Sequence, residues 1–135
     1  MSETEATFLD LGTNLDDVPD LVTVAGGEHE MRIIDLGITV TEKGKFLIPR
    51  LEIMNNPLAK EVSAPLRIPD ETMNEKDKNR RMRNLKAFYK CFGINTAGPV
   101  QFNEQIGKTG WVTLDESEDA KYGKQNNVRQ WLIKR

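Results

Sequence analysis

The sequence predicts a mainly β fold, and three observations support this prediction. Short runs rich in Ile, Val, Leu and Thr alternate with Gly, Pro and Asn, as in antiparallel strands joined by turns. Between the third and fourth runs, the pattern changes to the 3.6-residue period of a helix. The resulting order, β-β-β-α-β-β, is that of a five-stranded OB-type barrel with one helix between strands 3 and 4.

Length and charge divide the chain into an arm and one folded domain. With 135 residues, 38% of them hydrophobic, the chain has enough apolar side chains for one core. Residues 1–20 contain six carboxylates and neither Lys nor Arg, so their net charge is −6 and the remainder carries +4 within the total of −2. We therefore predict an acidic, flexible arm over residues 1–24 and a folded domain over residues 25–135.

The first two strands follow the arm. Residues 28–41 are rich in Ile, Val, Thr and Met and predict a long strand, in which Gly37 indicates a bulge or bend. Residues 42–45 predict a hairpin loop and residues 46–54 a second strand, where Pro49 favours an edge or a bulge. The alternation of the second strand assigns Leu47, Leu51 and Ile53 to one face and Phe46, Ile48 and Arg50 to the other.

A shorter third strand and the helix come next. Residues 61–68 alternate apolar and polar side chains and predict the third strand. Thr72 and Glu75 match a capping box, and Gly93 is placed as a C-cap, which predicts a helix over residues 73–92. The predicted apolar stripe of this helix consists of Met82, Leu85, Tyr89 and Phe92.

Two strands complete the predicted barrel. Residues 109–116 and 127–134 alternate as strands, and residues 115–126 between them predict a polar loop. A short helical turn is predicted near residues 103–106. The non-core faces of the two strands are predicted to present Trp111, Thr113, Arg129, Trp131 and Ile133.

Four stretches of this chain resemble one protein family. Residues 27–35 are similar to its opening strand, residues 46–54 to its Leu-x-Leu-x-Ile second strand, and residues 106–108 to the Ile-Gly-Lys before its fourth strand. Residues 122–128 resemble its closing Tyr-x-Gly-x-x-x-Asn-x-Val signature. The family consists of small, formerly uncharacterised phage-encoded domains, found among replication and recombination genes. The resemblance implies an OB fold, single-stranded-DNA binding and a phage origin.

Binding a single strand without sequence preference requires cations for the phosphates and aromatic faces for the bases. In OB folds this surface is formed by strands 2 and 3 with the loops between strands 1–2 and 4–5. The strand assignment collects eight candidates there: Lys43, Lys45, Phe46, Arg50, Arg67, Lys121, Tyr122 and Lys124. The alternative is that the loop lysines are only solvated charges.

Three further candidates lie on the predicted outer faces of the last two strands. Trp111, Arg129 and Trp131 would extend the stacking surface, whereas the alternative packs both tryptophans under the arm or in a dimer interface. The predicted helix has a net charge of +5 and a cationic outer face, which would be a second phosphate track, a partner site or only a solvated face.

The sequence contains no recognisable catalytic or metal-binding set. His29 is the only histidine and Cys91 the only cysteine, so neither a zinc site nor a nucleophile–histidine pair is indicated. Residues 107–109 match the end of a Walker A loop, but Phe102 stands where that pattern needs glycine. We predict no enzyme activity, no cofactor and no metal.

The chain is predicted to be cytoplasmic, in the host cell if it is phage-encoded. No apolar run reaches the roughly 20 residues that span a bilayer. The acidic N-terminus lacks the apolar stretch of a secretory signal. A single cysteine fits a reducing compartment.

These observations predict a sequence-tolerant single-stranded-DNA-binding protein acting in phage DNA replication or recombination. The alternative is a protein-interaction module of a replication or recombination complex that does not bind DNA directly. The expected partners are single-stranded DNA and replication or recombination proteins, and an oligomer is compatible with the sequence. The carboxylates of residues 1–20 are expected to compete with DNA for the basic groove.

Overall fold

The computed structural model describes residues 7–121 and 123–133. A short 3-10 turn at Leu15–Asp17 precedes a six-stranded antiparallel sheet and two helices. In chain order the elements are β1 (Gly27–Thr41), β2 (Gly44–Ile53), β3 (Val62–Ser63), β4 (Leu66–Arg67), α1 (Glu75–Phe92), α2 (Phe102–Gln105), β5 (Thr109–Asp119) and β6 (Gly123–Trp131). The prediction of a mainly β fold with one long helix between the third and fourth strand regions is confirmed.

The strands lie in the order β3-β2-β1-β5-β6, and β4 also pairs with β2. β1 is the central strand, since residues 27–32 pair with β5 and residues 31–41 pair with β2. The two ends of the sheet, β3 and β6, approach each other. Within the described residues no ladder of hydrogen bonds joins them, so the sheet is not closed.

β1 contains a bulge three residues earlier than the glycine that predicted one. Its register with β2 shifts between Ile33 and Asp35, whereas Gly37 pairs regularly with Ile48. The extra residue changes the phase of the strand, so that Ile33 and Leu36 both face the core. The prediction of a bulge in β1 is confirmed, but its position at Gly37 is wrong.

The predicted third strand is divided into two short pieces. β3 pairs with Arg50 and Leu51, and β4 pairs with Phe46 and Leu47. The gap lies opposite Pro49, which has no N–H to donate, and it contains Pro65 on the other side. By the register Pro49 lies opposite Ala64, whose N–H donates to the Pro49 carbonyl at 3.2 Å, and Pro65 lies opposite Ile48. Each strand therefore lacks one N–H donor in this stretch, and the regular pairing is interrupted.

Helix α1 begins two residues later than predicted. The side chain of Asn74 accepts a hydrogen bond from the backbone N–H of Asp77 at 2.8 Å, so Asn74 is the N-cap and the predicted Thr72 capping box is wrong. Gly93 ends the helix in the left-handed conformation (φ 71°), as predicted. The apolar face is rotated from the prediction, because Phe88 and Cys91 are buried whereas Met82 is 58% exposed.

The region between the last two strands is a long hairpin and not the predicted polar loop. β5 extends to Asp119 and β6 begins at Gly123. A register shift between Thr113 and Leu114 changes the phase of β6. As a result Trp131 lies opposite the buried Val112, on the core side. The prediction that Trp131 belongs to the non-core face is wrong.

The core lies between one face of the sheet and α1. Phe88, Phe92 and Trp131 form its aromatic centre, with ring centroids of Phe88 and Trp131 5.0 Å apart. The buried apolar side chains of the sheet are Met31, Ile33, Leu36, Leu47, Leu51, Ile53, Val62, Leu66, Val112 and Leu114. The opposite face of the sheet is consequently the outer one.

The segment just before β1 is attached to the folded domain. Val22 forms an isolated parallel bridge with Ala59. The backbone of Val24 exchanges two hydrogen bonds of 2.8 Å with the side chain of Asn126 in β6. This segment therefore lies between the two ends of the sheet. No helix in the described part of the chain is long and apolar enough to cross a membrane.

Candidate nucleic-acid interface

The outer side of β2 carries an aromatic ring with cations around it. Because Leu47, Pro49 and Leu51 point into the core, the alternating residues point outwards. We call this area the β2 surface, and its residues are Lys43, Phe46, Ile48, Arg50, Pro65 and Arg67. Lys43 belongs to the β1–β2 turn, and Pro65 and Arg67 come from the interrupted third strand.

The centre of the β2 surface is the pair formed by Phe46 and Arg67. These residues are register partners between β2 and β4, and the guanidinium carbon lies 5.6 Å from the ring centroid. This is the geometry of a cation–π contact. The Arg67 side chain is only 13% exposed, and its Nη1 is buried without a hydrogen-bond partner among the described residues.

Gly44 makes the Phe46–Arg67 contact sterically possible. A Cβ atom at position 44 would overlap the Arg67 guanidinium, and the backbone of Gly44 has φ 126°, where side chains are rarely tolerated. The glycine of the β1–β2 hairpin therefore gives space to the arginine as well as turning the chain.

Asp70 holds the other side of the Arg67 guanidinium. Its Oδ2 accepts a hydrogen bond from Arg67 Nη2 at 2.9 Å. Hydrogen bonds from the hydroxyl and the backbone N–H of Thr72, together with the charge of Arg67, hold the pKa of Asp70 below its ordinary value. The arginine is thus fixed by a carboxylate that stays ionised at neutral pH.

Beside this pair lies a shallow, mostly apolar depression. Its volume is ≈ 490 Å³, and it is lined by Thr41, Glu42, Lys43, Phe46, Ile48 and Pro65. The apolar residues offer a surface for a flat ring, while Lys43 contributes a positive charge from the hairpin turn. Arg50 continues the same face of β2, half-exposed, with its Nε 3.8 Å from Glu61.

Eight residues were predicted to bind DNA on strands 2 and 3 and the neighbouring loops. Four of them lie together on the β2 surface: Phe46, Arg67, Lys43 and Arg50. Lys45 is exposed, but the alternation of β2 directs it to the side opposite Phe46. It therefore lies beside the first hairpin turn, as predicted, but does not belong to the β2 surface, and its part in DNA binding stays a prediction. Tyr122 lies outside the described residues.

The predicted lysines of the last loop lie in acidic surroundings. Residues 115–124 contain four carboxylates and two lysines. Lys124 Nζ is 3.9 Å from Glu116 Oε1, and the backbone N–H of Lys121 donates to Asp119. The charge of Lys124 is thus partly neutralised by a carboxylate of its own hairpin.

Of the three additional candidates, Trp111 and Trp131 line one cleft, whereas Arg129 does not. Trp111 is 51% exposed on the outer side of β5, where it pairs with Glu30 in β1. The cleft that it shares with Trp131 has a volume of ≈ 940 Å³ and is also lined by Glu28 and Glu30. Trp131 packs on α1, and Arg129 is exposed at the irregular part of β6. A cleft that contains two glutamates is unfavourable for a phosphate.

The sequence prediction did not include Gly44, Ile48, Pro65 or Asp70 in the site. The outward position of Ile48 was available from the alternation, but an aliphatic side chain carries no binding signal of its own. The role of Gly44 depends on Arg67, which is 23 residues away, and no local pattern indicates such a contact. Within residues 7–121 and 123–133, no group of three or more His, Cys, Asp or Glu could hold a metal ion.

No protein-family model matches this chain, and no curated protein matches it. The resemblance to phage-encoded single-stranded-DNA-binding domains consequently stays a prediction. The function is inferred below from the arrangement of side chains on the β2 surface.

Proposed function

We propose that this chain is a sequence-tolerant single-stranded-DNA-binding protein that uses the β2 surface and acts in the cytoplasm during phage DNA replication or recombination. The observation that carries the proposal is the contact of Arg67 with Phe46 beside an apolar depression flanked by Lys43. A ring, a flat apolar floor and nearby cations are the elements that single-strand binding needs, and none of them requires a particular base.

The arrangement of strands supports an OB-type barrel as the scaffold of this surface. The order β3-β2-β1-β5-β6 would become a barrel if β3 and β6 were joined, and these two strands are near each other. The segment containing Val22 and Val24 bridges them through Ala59 and Asn126. In OB folds the second and third strands form the binding face, which corresponds to β2 with β3 and β4 here.

In the proposed mechanism the aromatic ring contacts a base and the cations contact the phosphates. A base stacks on the depression at Phe46 and Ile48, while Lys43 and Arg50 neutralise the flanking phosphates. Arg67 orients the ring through its cation–π contact and adds positive charge to the field beneath the surface. Stacking is worth roughly 1–3 kcal/mol per base, so the ring supplies a substantial part of the affinity.

The test is a titration of end-labelled oligo-dT with the full chain, followed by fluorescence anisotropy. Phe46→Ala is expected to weaken binding by about 5- to 150-fold, the equivalent of about 1–3 kcal/mol. The combined change Lys43→Glu and Arg50→Glu should weaken it further and flatten its salt dependence between about 50 and about 200 mM. Trp111→Ala is the matched deletion of a ring on the outer side of β5, away from the β2 surface, and should leave the affinity unchanged.

Labelled DNA is the appropriate probe because neither tryptophan belongs to the β2 surface. Trp131 packs against α1 and Trp111 lies beside Glu30, so tryptophan emission need not respond to a base at Phe46. Absence of binding by the full chain at low salt would contradict the proposed function. Equal loss of affinity in the Phe46 and Trp111 variants would contradict the proposed site.

A protein-interaction module is the second candidate function, and one observation favours it. The arm exposes Phe8, Leu9 and Leu11, and exposed apolar segments of this kind are typical of contacts with other proteins. The same titration separates the two functions, since a module without direct DNA binding would show no anisotropy change for the full chain or for any variant.

A further inference from the structure

The arm before β1 combines exposed apolar side chains with negative charge. Phe8 is 81% exposed and Leu9 79%, and Leu11, Leu15 and Val18 are also more than half exposed. Four carboxylates lie among them: Asp10, Asp16, Asp17 and Asp20. Exposing so many large apolar groups is costly, and such a segment rimmed by charge is typical of a docking element.

The outer side of α1 has the opposite charge. We call it the basic face of α1, and it consists of the exposed side chains of Lys76, Arg80, Arg83, Lys86 and Lys90. In the described part of the chain only Arg80 has a carboxylate within ion-pair distance, Asp77 on the same helix at 3.4 Å. The helix therefore presents four cations that no described carboxylate neutralises.

Met82 gives this cationic face an apolar point of contact. It is exposed on α1 with Lys78 and Lys86 four residues away on either side. The face thus combines positive charges with one flexible apolar side chain, and the arm combines negative charges with several apolar ones. A methionine is suited to such a contact, because its unbranched side chain adapts to different partners.

In the described residues the 3-10 turn of the arm, Leu15–Asp17, packs on no other element of its own chain, and the apolar side chains of the arm are exposed, so the arm is free to contact a second chain. The arm joins the domain through Val24 and Asn126, at the first half of β6. Helix α1 packs on Trp131, at the other end of that strand and about 17 Å farther along it. We propose that the arm of one chain docks on the basic face of α1 of a second copy.

Such a contact is heterologous, because each chain offers one arm and one helix face. Repetition of a heterologous contact gives open chains of molecules or rings. On a single strand of DNA it would connect neighbouring molecules and leave the β2 surface of each free for bases. The inference concerns self-association, and it does not depend on the proposed function.

Sedimentation velocity of the full chain without nucleic acid tests the proposal. We expect self-association that rises with protein concentration at about 50 mM salt and decreases several-fold at about 500 mM. The arm variant Asp16→Lys with Asp17→Lys, and the helix variant Arg83→Glu with Lys86→Glu, should each weaken association at least about tenfold, because favourable pairs become repulsive ones. Circular dichroism verifies that both variants remain folded.

Mixing the two variants distinguishes contact between chains from contact within one chain. An equimolar mixture should regain association, since the reversed arm of one variant complements the reversed helix of the other. The matched control for the helix variant is Lys43→Glu with Arg50→Glu. It changes the net charge by the same amount as the helix variant, but it should associate like the original chain. A protein that is monomeric at every concentration, or association that neither reversal affects, or no recovery in the mixture, would overturn the proposal.

Discussion

The two long hairpins of this sheet carry lysines near their tips in opposite surroundings. In the β1–β2 hairpin, Lys43 lies at the edge of an apolar depression next to the outward ring of Phe46. In the β5–β6 hairpin, Lys124 lies within reach of Glu116, in a segment that contains twice as many carboxylates as lysines. The difference teaches that two loop lysines of the same sequence type can have unlike surroundings, since a ring accompanies Lys43 and a carboxylate within ion-pair distance accompanies Lys124. The proposed binding surface is the one with the ring.

The aromatic residues of the two regions differ in the same way. Phe46 is turned outwards beside Arg67, whereas the bulge in the β5–β6 ladder turns Trp131 inwards. Trp111 lies beside Glu30 in the regular β1–β5 ladder. The β5–β6 half of the sheet therefore uses one large ring for stability and has the other in an acidic setting. Four predictions test this contrast, from the largest expected effect to the smallest.

The first prediction compares the two tryptophans by their effect on stability. Trp131→Ala should lower the free energy of unfolding by about 3 kcal/mol, because it removes the ring that packs on Phe88 and Phe92. Trp111→Ala should cost less than about 1 kcal/mol, because this ring is half-exposed. Urea unfolding followed by circular dichroism measures both values. Similar losses in the two variants would contradict the inward position of Trp131.

The second prediction compares one glycine from each hairpin. Gly44→Ala should lower the free energy of unfolding by about 2 kcal/mol or more, since φ 126° is unsuitable for alanine and the new Cβ overlaps Arg67. Gly123→Ala should cost about 1 kcal/mol, because its φ of 75° is the left-handed region and the space around it is open. Thermal unfolding of both variants provides the comparison.

Oligo-dT binding adds a second measurement for this pair. Gly44→Ala should also weaken binding several-fold, because Arg67 must leave the Phe46 ring, and Gly123→Ala should not. If both substitutions affect stability and binding equally, the glycine in the first hairpin has no special relation to Arg67.

The third prediction compares one lysine from each hairpin. Lys43→Glu should weaken oligo-dT binding by about three- to tenfold. It should also make the plot of log affinity against log salt concentration less steep, by the amount that corresponds to roughly one phosphate contact. Lys124→Glu should have a smaller effect, because Glu116 already neutralises part of the Lys124 charge. Anisotropy titrations at two salt concentrations measure both. A larger effect at Lys124 would indicate that DNA binds at the β5–β6 hairpin and not at the β2 surface.

The fourth prediction concerns the pH dependence that Asp70 gives to the first hairpin. The pKa of Asp70 is lowered from its ordinary value of 3.8 in the folded chain, so its stabilising effect is complete above that value and disappears as the pH falls through the lowered pKa. Asp70→Asn should therefore reduce the melting temperature near neutral pH, and this difference should shrink below about pH 4. A difference that is constant down to about pH 2 would contradict the role assigned to the Asp70 carboxylate.

The sequence was sufficient where local patterns determine the structure. Alternation in β2 correctly separated Leu47 and Leu51 from Phe46 and Arg50, and Gly93 correctly marked the end of α1. These features depend on residues a few positions apart, and such spacing is visible in a single chain.

The errors in the sheet share one physical cause, which is pairing between distant segments. The bulge opposite Thr113 turns the side chain of Trp131 to the core face of the sheet. The alternation of residues within β6 alone cannot reveal this bulge. The polar β5–β6 hairpin was predicted as a loop, because its residues lack apolar alternation while its backbone still forms a ladder. The Phe46–Arg67 pair was included by residue type, but its dependence on Gly44 became visible only from the three-dimensional arrangement.

Photochemical cross-linking of oligo-dT containing 5-iododeoxyuridine tests the central claim most directly. Trypsin cleaves after Lys45 and Arg50, so the peptide of residues 46–50 contains Phe46 as its only aromatic residue, and the peptide of residues 109–121 contains only Trp111. We predict that mass spectrometry finds the cross-linked nucleotide on peptide 46–50. Cross-links confined to peptide 109–121 would contradict the assignment of nucleic-acid binding to the β2 surface.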